Sequence, residues 1–458
     1  MENIVKEGIT AKLCAQIVAI DNAAVPSAAR EAANTLVLDG LAVAVAGASQ
    51  RSIEILAAHL QQQGSRPEAS VIGKGFSLAT VPAALLNAAS MHALDFEPMW
   101  KPSNHALSTT LPAVLALAEA QGNSGLDVVC ALIKGIEIQG WIRQACGKVE
   151  ASELVFHQPG MFGPLGAAVA ASHLLQLDAD ELAHALGIAA SRCSGLIANI
   201  GTMTKATHCG YAAALGLEAA LLAKRGFTAN KRVFEASQGY REAFLPSTFD
   251  AGKLLNYGPP FRVIKPGFAL KAFPCKYQTH YTIVCGLAAH EQVPSPAEVR
   301  AVKITSPVFP AADRPQPATG LEGMFSLQFT FAAALIDGKV EMKTFSDERL
   351  RDPALQSLLG KITLEMNPAI SSEFDGRIVE ATIVLNDGRV VRTRCEKPPG
   401  SWGAPPIPEA QYNSKLWDCV GRFLSPPDIE RFTGLAAHAA DLNASDLRSL
   451  MQLCRGAF

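Results

Sequence analysis

The feature that most limits the possible folds is a series of apolar segments with helical spacing in the first half of the chain. In these segments apolar residues recur every three or four positions, and Ala and Gly are frequent where neighbouring helices would touch. The segments are Ala28–Leu60, Leu86–Gln121, Asp127–Cys146, Gly163–Leu177 and Gly210–Arg225. Asp178 and Glu181 have the spacing of a capping box, and Gly226 stands where a helix would end. The first half is therefore predicted to be a helical bundle.

The pattern changes after Leu255–Gly267, where Gly and Pro residues interrupt any helix and predict a linker. Beyond it, Val299–Ser306 mixes β-branched and charged residues as a strand does, and Ser326–Ile336 is predicted to be a buried helix. Ile378–Leu385 and Arg389–Cys395, joined by an Asn-Asp-Gly turn, predict a β-hairpin. This region is therefore predicted to be a compact α+β domain.

After the Pro-rich segment Pro398–Pro408, helical spacing returns in Asp418–Leu453, which we expect to pack on the first domain. A chain of 458 residues is too long for one ordinary core. We predict a mainly α fold with a large all-helical domain, formed by both chain ends (residues 1–263 and 405–458). A smaller α+β lid domain (residues 264–404) is predicted to be inserted between them.

The overall charge excludes several classes of partner. The chain has 40 Lys and Arg against 42 Asp and Glu, so no general positive field would attract nucleic acid or an anionic membrane. Charged residues lie in the first eleven positions, and no stretch of about 18 uncharged apolar residues follows. We therefore expect no nucleic-acid partner, no membrane association and a cytoplasmic location.

Ten cysteines are scattered along the chain, and no two have the two-residue gap of zinc or redox motifs. Free thiols in a reducing compartment are the expected state. An iron–sulfur cluster needs several grouped thiolates, so the spacing argues against a cluster-dependent hydratase. The sequence therefore predicts no metal site.

Several titratable residues stand beside Gly, Pro or polar turns, where catalytic groups concentrate. They are Asp95, His105, His157, Lys205, His208, Lys271, Lys276 and His280. Taken singly, each is more often a surface or structural residue: Asp95 and His105 would serve as helix caps, and Lys205 and His208 would share a solvated helix face. Together they provide one carboxylate, several imidazoles and several ammonium groups. Proton removal next to a carboxylate needs this mixture, because cations must stabilise the enolate-like charge that develops.

Four sequence segments resemble the MmgE/PrpD family, which includes 2-methylcitrate dehydratase, cis-aconitate decarboxylase and iminodisuccinate epimerase. These are HALDFEP, FHQPGMFGPLGAA, GTMTKATHCGYAA and KAFPCKYQTH, and His105 lies in a further matching segment. The resemblance implies a homodimer with a cofactor-free site in a cleft between the two domains. By matching motif, the catalytic residues would be Asp95, His105, His157, Lys205 and Lys271. Lys276, His208 and His280 would contribute to substrate binding.

Three positions depart from the pattern of the decarboxylase branch. Met99 stands where the decarboxylase branch, and the dehydratase branch as well, usually has a hydroxyl residue; Lys276 replaces a His of the decarboxylase branch, and Phe329 replaces a Tyr. The last two changes remove proton donors and acceptors, so the sequence favours other family reactions over cis-aconitate decarboxylation. The additional charge of Lys276 favours a di- or tricarboxylate.

The resulting hypothesis is a metal-independent lyase of the dehydratase type, acting on a small polycarboxylate such as 2-methylcitrate. His105 or His157 would move the α-proton, and Asp95 would orient one imidazole. Epimerisation of a polycarboxylate such as iminodisuccinate shares the same first step and is the alternative. A non-catalytic carboxylate-binding protein and a metal-dependent lyase are rivals from other classes.

Overall fold

The computed structural model describes residues 8–147 and 155–456. These residues form two compact units. The first unit contains the described residues up to Phe268 and from Cys419 onward, and the second unit is Ala269–Asp418. The described chain is mainly α, with several short strands.

The helices are numbered in chain order. They are α1 (Ile9–Ala19), α2 (Ser27–Gly47), α3 (Arg51–Gln63), α4 (Thr80–Ala93), α5 (Ala106–Gln121), α6 (Gly125–Ala145), α7 (Gln158–Leu174), α8 (Ala179–Ala190), α9 (Thr204–Lys224), α10 (Tyr240–Phe244), α11 (Tyr277–His290), α12 (Gly320–Gly323), α13 (Leu327–Asp337), α14 (Asp347–Leu350), α15 (Pro353–Leu359), α16 (Glu409–Val420), α17 (Pro426–Ala437) and α18 (Ala444–Arg455). Short 3₁₀ helices cover Ile197–Asn199, Ala251–Asn256, Pro296–Glu298, Pro310–Ala312, Met342–Phe345 and Ala439–Asp441. The strands are β1 (Ala69–Ser70), β2 (Ser77–Leu78), β3 (Met99–Trp100), β4 (Phe268–Ala269), β5 (Val299–Ser306), β6 (Ile362–Met366), β7 (Val379–Leu385) and β8 (Val390–Cys395).

The core of the first unit consists of helices α4, α5, α6, α7 and α9, which pack on one another. Small residues allow this close approach. A Cβ added at Gly163 of α7 would lie 2.6 Å from Thr109 Cγ2 of α5 and 2.8 Å from Ala212 Cβ of α9. Helix α17 packs on α2 and α18 on α5, so the end of the chain belongs to this unit.

The predicted helical segments of the first half are helical, but two of them contain breaks. Ala28–Leu60 is divided between α2 and α3, and Leu86–Gln121 is divided between α4 and α5 by a twelve-residue loop, residues 94–105. The Asp178 capping box and the glycine end of α9 at Gly226 are confirmed, with a φ of 83° at the glycine. The predicted linker Leu255–Gly267 is instead held against α6, where the Arg262 N–H donates to the Glu137 carboxylate.

The second unit contains a four-stranded sheet with the order β6-β5-β7-β8. Strands β5 and β6 are parallel, whereas β5–β7 and β7–β8 are antiparallel, so the predicted strand and hairpin are confirmed. In β7 the alternate residues Val379, Ala381, Ile383 and Leu385 are buried, which gives the sheet one apolar face. The predicted buried helix is α13, which packs against α11.

Within the described residues, no single helix combines the length and apolarity needed to cross a bilayer. Helices α2 and α3 meet that test only as a pair bent by 85°.

Candidate active site

Four helices of the first unit bring one end each to the same place. The site residues lie on the C-terminal end of α4 and on the N-terminal ends of α5, α7 and α9. His92 is in the last turn of α4, His105 and His157 immediately precede α5 and α7, and Lys205 and His208 are in the first turns of α9. The ring centroids of His92 and His105 are 4.6 Å apart, and those of His105 and His157 are 6.0 Å apart.

A second segment fixes the position of His157. The backbone N–H of His157 donates to the Gly195 carbonyl at 2.8 Å, and Phe156 forms an isolated antiparallel bridge with Leu196. Gly195 has a φ of 97°, and a Cβ there would lie 3.2 Å from Cγ of His208. The glycine therefore lets the backbone pass beside the ring of His208. His157 Nδ1 and His208 Nδ1 are 3.1 Å apart, within hydrogen-bonding distance.

The loop after α4 contains the two acidic groups of the site. Asp95 has a left-handed backbone with a φ of 47°, and its N–H donates to the His92 carbonyl, so the chain turns sharply here. The turn directs the Asp95 carboxylate towards α9. Lys205 Nζ lies 2.9 Å from Asp95 Oδ2 and 2.8 Å from His92 Nε2. Lys205 and Asp95 are both buried.

Glu97 is fully buried, and one of its carboxylate oxygens contacts the imidazoles of both His92 and His105. Its Oε1 atom is hydrogen-bonded to His92 Nδ1, lies 2.9 Å from His105 Nδ1 and accepts from Ser108 Oγ at 3.1 Å. Because Lys205 donates to Nε2 of His92, the hydrogen of a neutral His92 ring lies on Nδ1 and points to Glu97. A continuous polar path therefore runs from Asp95 through Lys205, His92 and Glu97 to His105.

Burial and the Lys205 charge determine which groups of the site are charged. Burial, and then the neighbouring ammonium, lowers the pKa of His92 to about 4 and that of His157 well below its usual value. The same two causes lower the pKa of His208. Burial alone would raise the pKa of Glu97, but the His92 and His105 rings outweigh it and lower this pKa well below its usual value. At neutral pH the site thus contains neutral imidazoles at His92, His157 and His208, together with a carboxylate at Glu97.

Helix α6 supports the start of α5 from behind. The Gln139 amide donates to Thr110 Oγ1 at 2.8 Å and accepts from Thr109 Oγ1 at 3.0 Å and from Asn104 Nδ2 at 3.3 Å. These bonds connect the side chains on both sides of His105 to α6. The side chain of His105 makes no capping bond to its own helix, so the ring is not held as a structural cap.

The structure brings five of the eight predicted site residues together: Asp95, His105, His157, Lys205 and His208. The other three lie in the second unit within ten residues of one another. Lys271 is fully buried and its Nζ donates to the Cys275 carbonyl at 3.3 Å; Lys276 immediately precedes α11 and is half-buried. His280 is fully buried on α11 and stacks on Tyr277.

Sequence reasoning missed His92 and Glu97. It assigned the orientation of an imidazole to Asp95, and the structure places a second carboxylate, Glu97, in contact with two imidazoles. Asp95 pairs with Lys205 and lies 4.0 Å from His105 Nε2. The available signal was the segment from His92 to Glu97, in which three titratable residues follow one another at the end of an apolar helix.

Among the residues that the structure describes, two groups of side chains have the spacing of metal ligands. They are His92, His105 and His157, and Asp95, Glu97 and His105, with candidate ligand atoms within 4.8 Å of one another in each group. Lys205 Nζ is bonded to one member of each group, so the chain itself supplies a positive charge where an ion would lie.

Two of the departures from the decarboxylase pattern are buried apolar side chains. Met99 accepts a weak hydrogen bond from Ser103 Oγ at its sulfur, and Phe329 of α13 packs its ring near Phe345. Phe329 has no hydroxyl to donate a proton.

Comparisons with known proteins cover most of the chain. Residues 11–251 match the family model described as MmgE/PrpD N-terminal domain, and residues 273–439 match the MmgE/PrpD C-terminal domain. Cis-aconitate decarboxylase of Mus musculus is 28% identical over 440 residues, which cover 92% of this chain and 88% of the relative. The enzyme of the same name from Aspergillus terreus (strain NIH 2624 / FGSC A1156) is 29% identical over 490 residues, which cover 98% and 96%. 2-Methylcitrate dehydratase of Cupriavidus necator is 25% identical over 372 residues, which cover 70% and 71%.

Proposed function

The chain belongs to the MmgE/PrpD family, and on that premise we propose that it is a lyase that removes an α-proton from a small tricarboxylate and eliminates a β-hydroxyl as water. One observation carries the proposal: a buried lysine, Lys205, lies between His92 and Asp95 beside a second imidazole backed by Glu97. This arrangement combines a base with a fixed positive charge, as abstraction of a proton next to a carboxylate requires.

His105 is the proposed base. The Glu97 carboxylate 2.9 Å from its Nδ1 favours the tautomer with hydrogen on that atom and leaves the Nε2 lone pair to accept a proton. The same carboxylate stabilises the imidazolium that forms. The C–H electron pair then forms the new double bond, and the hydroxyl group leaves as water with a proton from the imidazolium or from the Lys205 ammonium.

The negative charge that develops on the substrate carboxylate needs cations and dipoles directed towards it. Lys205 supplies the charge, and the N-terminal ends of α5, α7 and α9 all lie at the site, where their N–H groups favour an anion. By the matching motif, Lys271 and Lys276 would also bind the substrate. We include this role in the proposal.

Decarboxylation is the second candidate, because two of the three relatives described above are named cis-aconitate decarboxylases. Loss of CO₂ leaves a carbanion that must then be protonated, so this reaction needs an acid beside that carbon. The low pKa of His157 leaves that ring neutral, and Phe329 has no proton to give. Lys205 is then the remaining acid for decarboxylation, whereas the elimination can also return the proton that His105 has taken, and this favours the elimination.

The test is incubation of the purified chain with 2-methylcitrate, citrate, cis-aconitate or iminodisuccinate in deuterated water, followed by proton NMR. Elimination of water from a hydroxy acid with loss of activity in His105→Ala is the expected result. The matched control is His59→Ala, because His59 is exposed on α3 and should be dispensable.

Each rival predicts a different result in that experiment. Deuterium exchange without elimination indicates epimerisation, and release of CO₂ from cis-aconitate alone indicates decarboxylation. Tricarboxylate binding by calorimetry without turnover indicates a binding protein. Loss of activity on chelation that added metal restores indicates a metal-dependent lyase. Any of the four would overturn the proposed elimination.

A further inference from the structure

We propose that the first unit contains a second ligand site, a cavity between α1, α6, α7 and α8 that binds a small monocarboxylate with a short apolar chain. The cavity has a volume of about 670 Å³, which is within the range of small-molecule sites. It contains none of the residues of the candidate active site.

A buried lysine with spare hydrogen-bonding capacity lines this cavity. Lys134 of α6 is 2% exposed, and its Nζ lies 3.0 Å from His173 Nδ1. His173 Nε2 lies 2.8 Å from Asn22 Oδ1, and Asn22 Nδ2 donates to Asp127 Oδ1 at 2.8 Å.

The direction of this chain of hydrogen bonds follows from its acidic end. Since Asn22 donates to Asp127 through Nδ2, its Oδ1 accepts from His173 Nε2, and His173 Nδ1 is left to accept from Lys134. A protonated lysine has three hydrogens to donate. His173 takes one of them, and the described residues provide no other hydrogen bond to Nζ. A buried ammonium group with two unused donors is costly unless a ligand or water accepts from it.

A second buried donor lines the same cavity. Ser172 precedes His173 on α7 and is 4% exposed, and its Oγ makes no hydrogen bond within the described part of the chain. An ammonium and a hydroxyl that both need an acceptor suit the two oxygens of one carboxylate.

The other residues that line the cavity determine which group would accompany the carboxylate in a ligand. Ile17, Val169, Leu177 and Leu182 give an apolar lining that suits a short alkyl chain. The carboxylates of Asp21, Asp127 and Asp178 also line the cavity and would repel a second negative charge. The site should therefore discriminate against the di- and tricarboxylates that the candidate active site is proposed to bind.

The two sites are separated by the length of a helix. His157 precedes α7 and His173 is in its last turn, sixteen residues later, which corresponds to about 24 Å along a helix axis. The second site can therefore be altered without touching the residues of the first.

The experiment uses butyrate labelled with ¹³C at the carboxylate, titrated with the full chain and followed by NMR. We expect saturable binding that is weakened at least about tenfold in Lys134→Met and more modestly in Ser172→Ala, because each loses a donor to the carboxylate. Lys134→Met removes a buried charge and adds no bulk, and circular dichroism would verify its fold. The matched control is Lys231→Met, an exposed lysine of the same unit, which should bind butyrate as the wild type does.

A pH titration gives an independent readout. Burial lowers the pKa of Lys134 to about 8, and the groups that face it or line the same cavity are His173, Cys130, Asp21, Asp127 and Asp178. Of these, the pKa of His173 is lowered to about 4 and that of Cys130 is raised to about 11, so neither titrates near pH 8. Butyrate affinity should consequently fall about tenfold per pH unit above pH 8.

Three results with carboxylates would overturn the proposal, and a fourth comes from an amine. The first three are the absence of saturable butyrate binding, equal binding of butyrate by wild type and Lys134→Met, and binding of succinate as tightly as butyrate. Capture of butylamine in preference to butyrate would also contradict it, since the acidic residues would then dominate recognition.

Discussion

One carboxylate oxygen, Oε1 of Glu97, contacts His92, His105 and Ser108 in a fully buried environment. An amide in its place is isosteric but uncharged, so it cannot stabilise an imidazolium or fix both ring tautomers. We expect Glu97→Gln to lower kcat by roughly 10²- to 10⁴-fold, the range for loss of general acid–base function, with a small change in KM. Steady-state kinetics with the substrate identified in deuterated water would measure this.

The control is Glu119→Gln, because Glu119 is also an acceptor in the first unit but bonds to the backbone and hydroxyl of Ser70. It should lower the free energy of unfolding and leave kcat unchanged. A Glu97→Gln enzyme with wild-type kcat would show that the dyad of Glu97 and His105 is structural.

Lys205 is proposed to act on the imidazoles through its charge. Its ammonium lowers the pKa of His92, His157 and His208. In Lys205→Met this contribution is lost, so the pKa of all three rings should rise, although burial still holds those of His92 and His157 below the usual value. NMR titration of the histidine ring protons would measure the shifts.

Lys224→Met, at the exposed end of the same helix, should leave these three titrations unaltered. Unchanged histidine pKa values in Lys205→Met would refute the electrostatic role, even if activity were lost for another reason.

At the level of elements, the close contact of α5, α7 and α9 depends on Gly163. A methyl group there would lie 2.6 Å from Thr109 Cγ2 and 2.8 Å from Ala212 Cβ, so the helices must separate. We expect Gly163→Ala to lower the free energy of unfolding by about 1–3 kcal/mol, typical of overpacking. Urea unfolding would measure it.

Gly434→Ala tests the opposite case on α17, where an added Cβ meets nothing within 4 Å. This variant should be stabilised by about 0.4–1 kcal/mol, because alanine restricts the unfolded chain and favours a helix. If both variants were equally destabilised, close packing at Gly163 would not be the cause.

Sequence patterns predicted elements well where a local rule decides the structure. The capping box at Asp178, the glycine end of α9 and the hairpin of β7 and β8 each depend on a few neighbouring residues. The break between α4 and α5 was missed although Pro98 and Pro102 lie within it, and the left-handed backbone of Asp95 is not signalled by any nearby glycine. The tertiary contacts of Lys205 and Gln139 determine the conformation of this loop.

The same reason limited the prediction of the site. Asp95, His105, His157, Lys205 and His208 lie in segments that resemble the family, and the structure brings them together. Glu97 and His92 stand in the first of those segments, but their roles depend on which oxygen faces which ring after α4, α5 and α9 have packed. Spacing in a sequence does not contain that information.

For the molecule as a whole, buried histidines make stability depend on pH. Burial is the largest cause that lowers the pKa of His92 and His173 to about 4 and that of His157 well below its usual value. Between pH 5 and about 6.5 the unfolded chain binds these protons and the folded chain does not, so acid favours unfolding. Glu137 opposes the trend, since burial raises its pKa to about 7 and the folded chain holds that proton.

With His208, whose pKa burial and Lys205 also lower, four histidines against one carboxyl leave a net of up to three groups, so the free energy of unfolding should fall by up to about 4 kcal/mol per pH unit on acidification. Urea unfolding at several pH values in this window would measure the slope. His173→Asn should reduce the slope, because it removes one group whose pKa is lower in the folded chain, and His173 lies outside the candidate active site. Glu137→Gln should steepen the slope, because it removes the group that opposes the trend. His59→Asn, at an exposed position, should leave it unchanged. A slope that is flat in the wild type, or that His173→Asn does not alter, would mean that these imidazoles take up protons without unfolding, and the neutral state assigned to the candidate site would then be wrong.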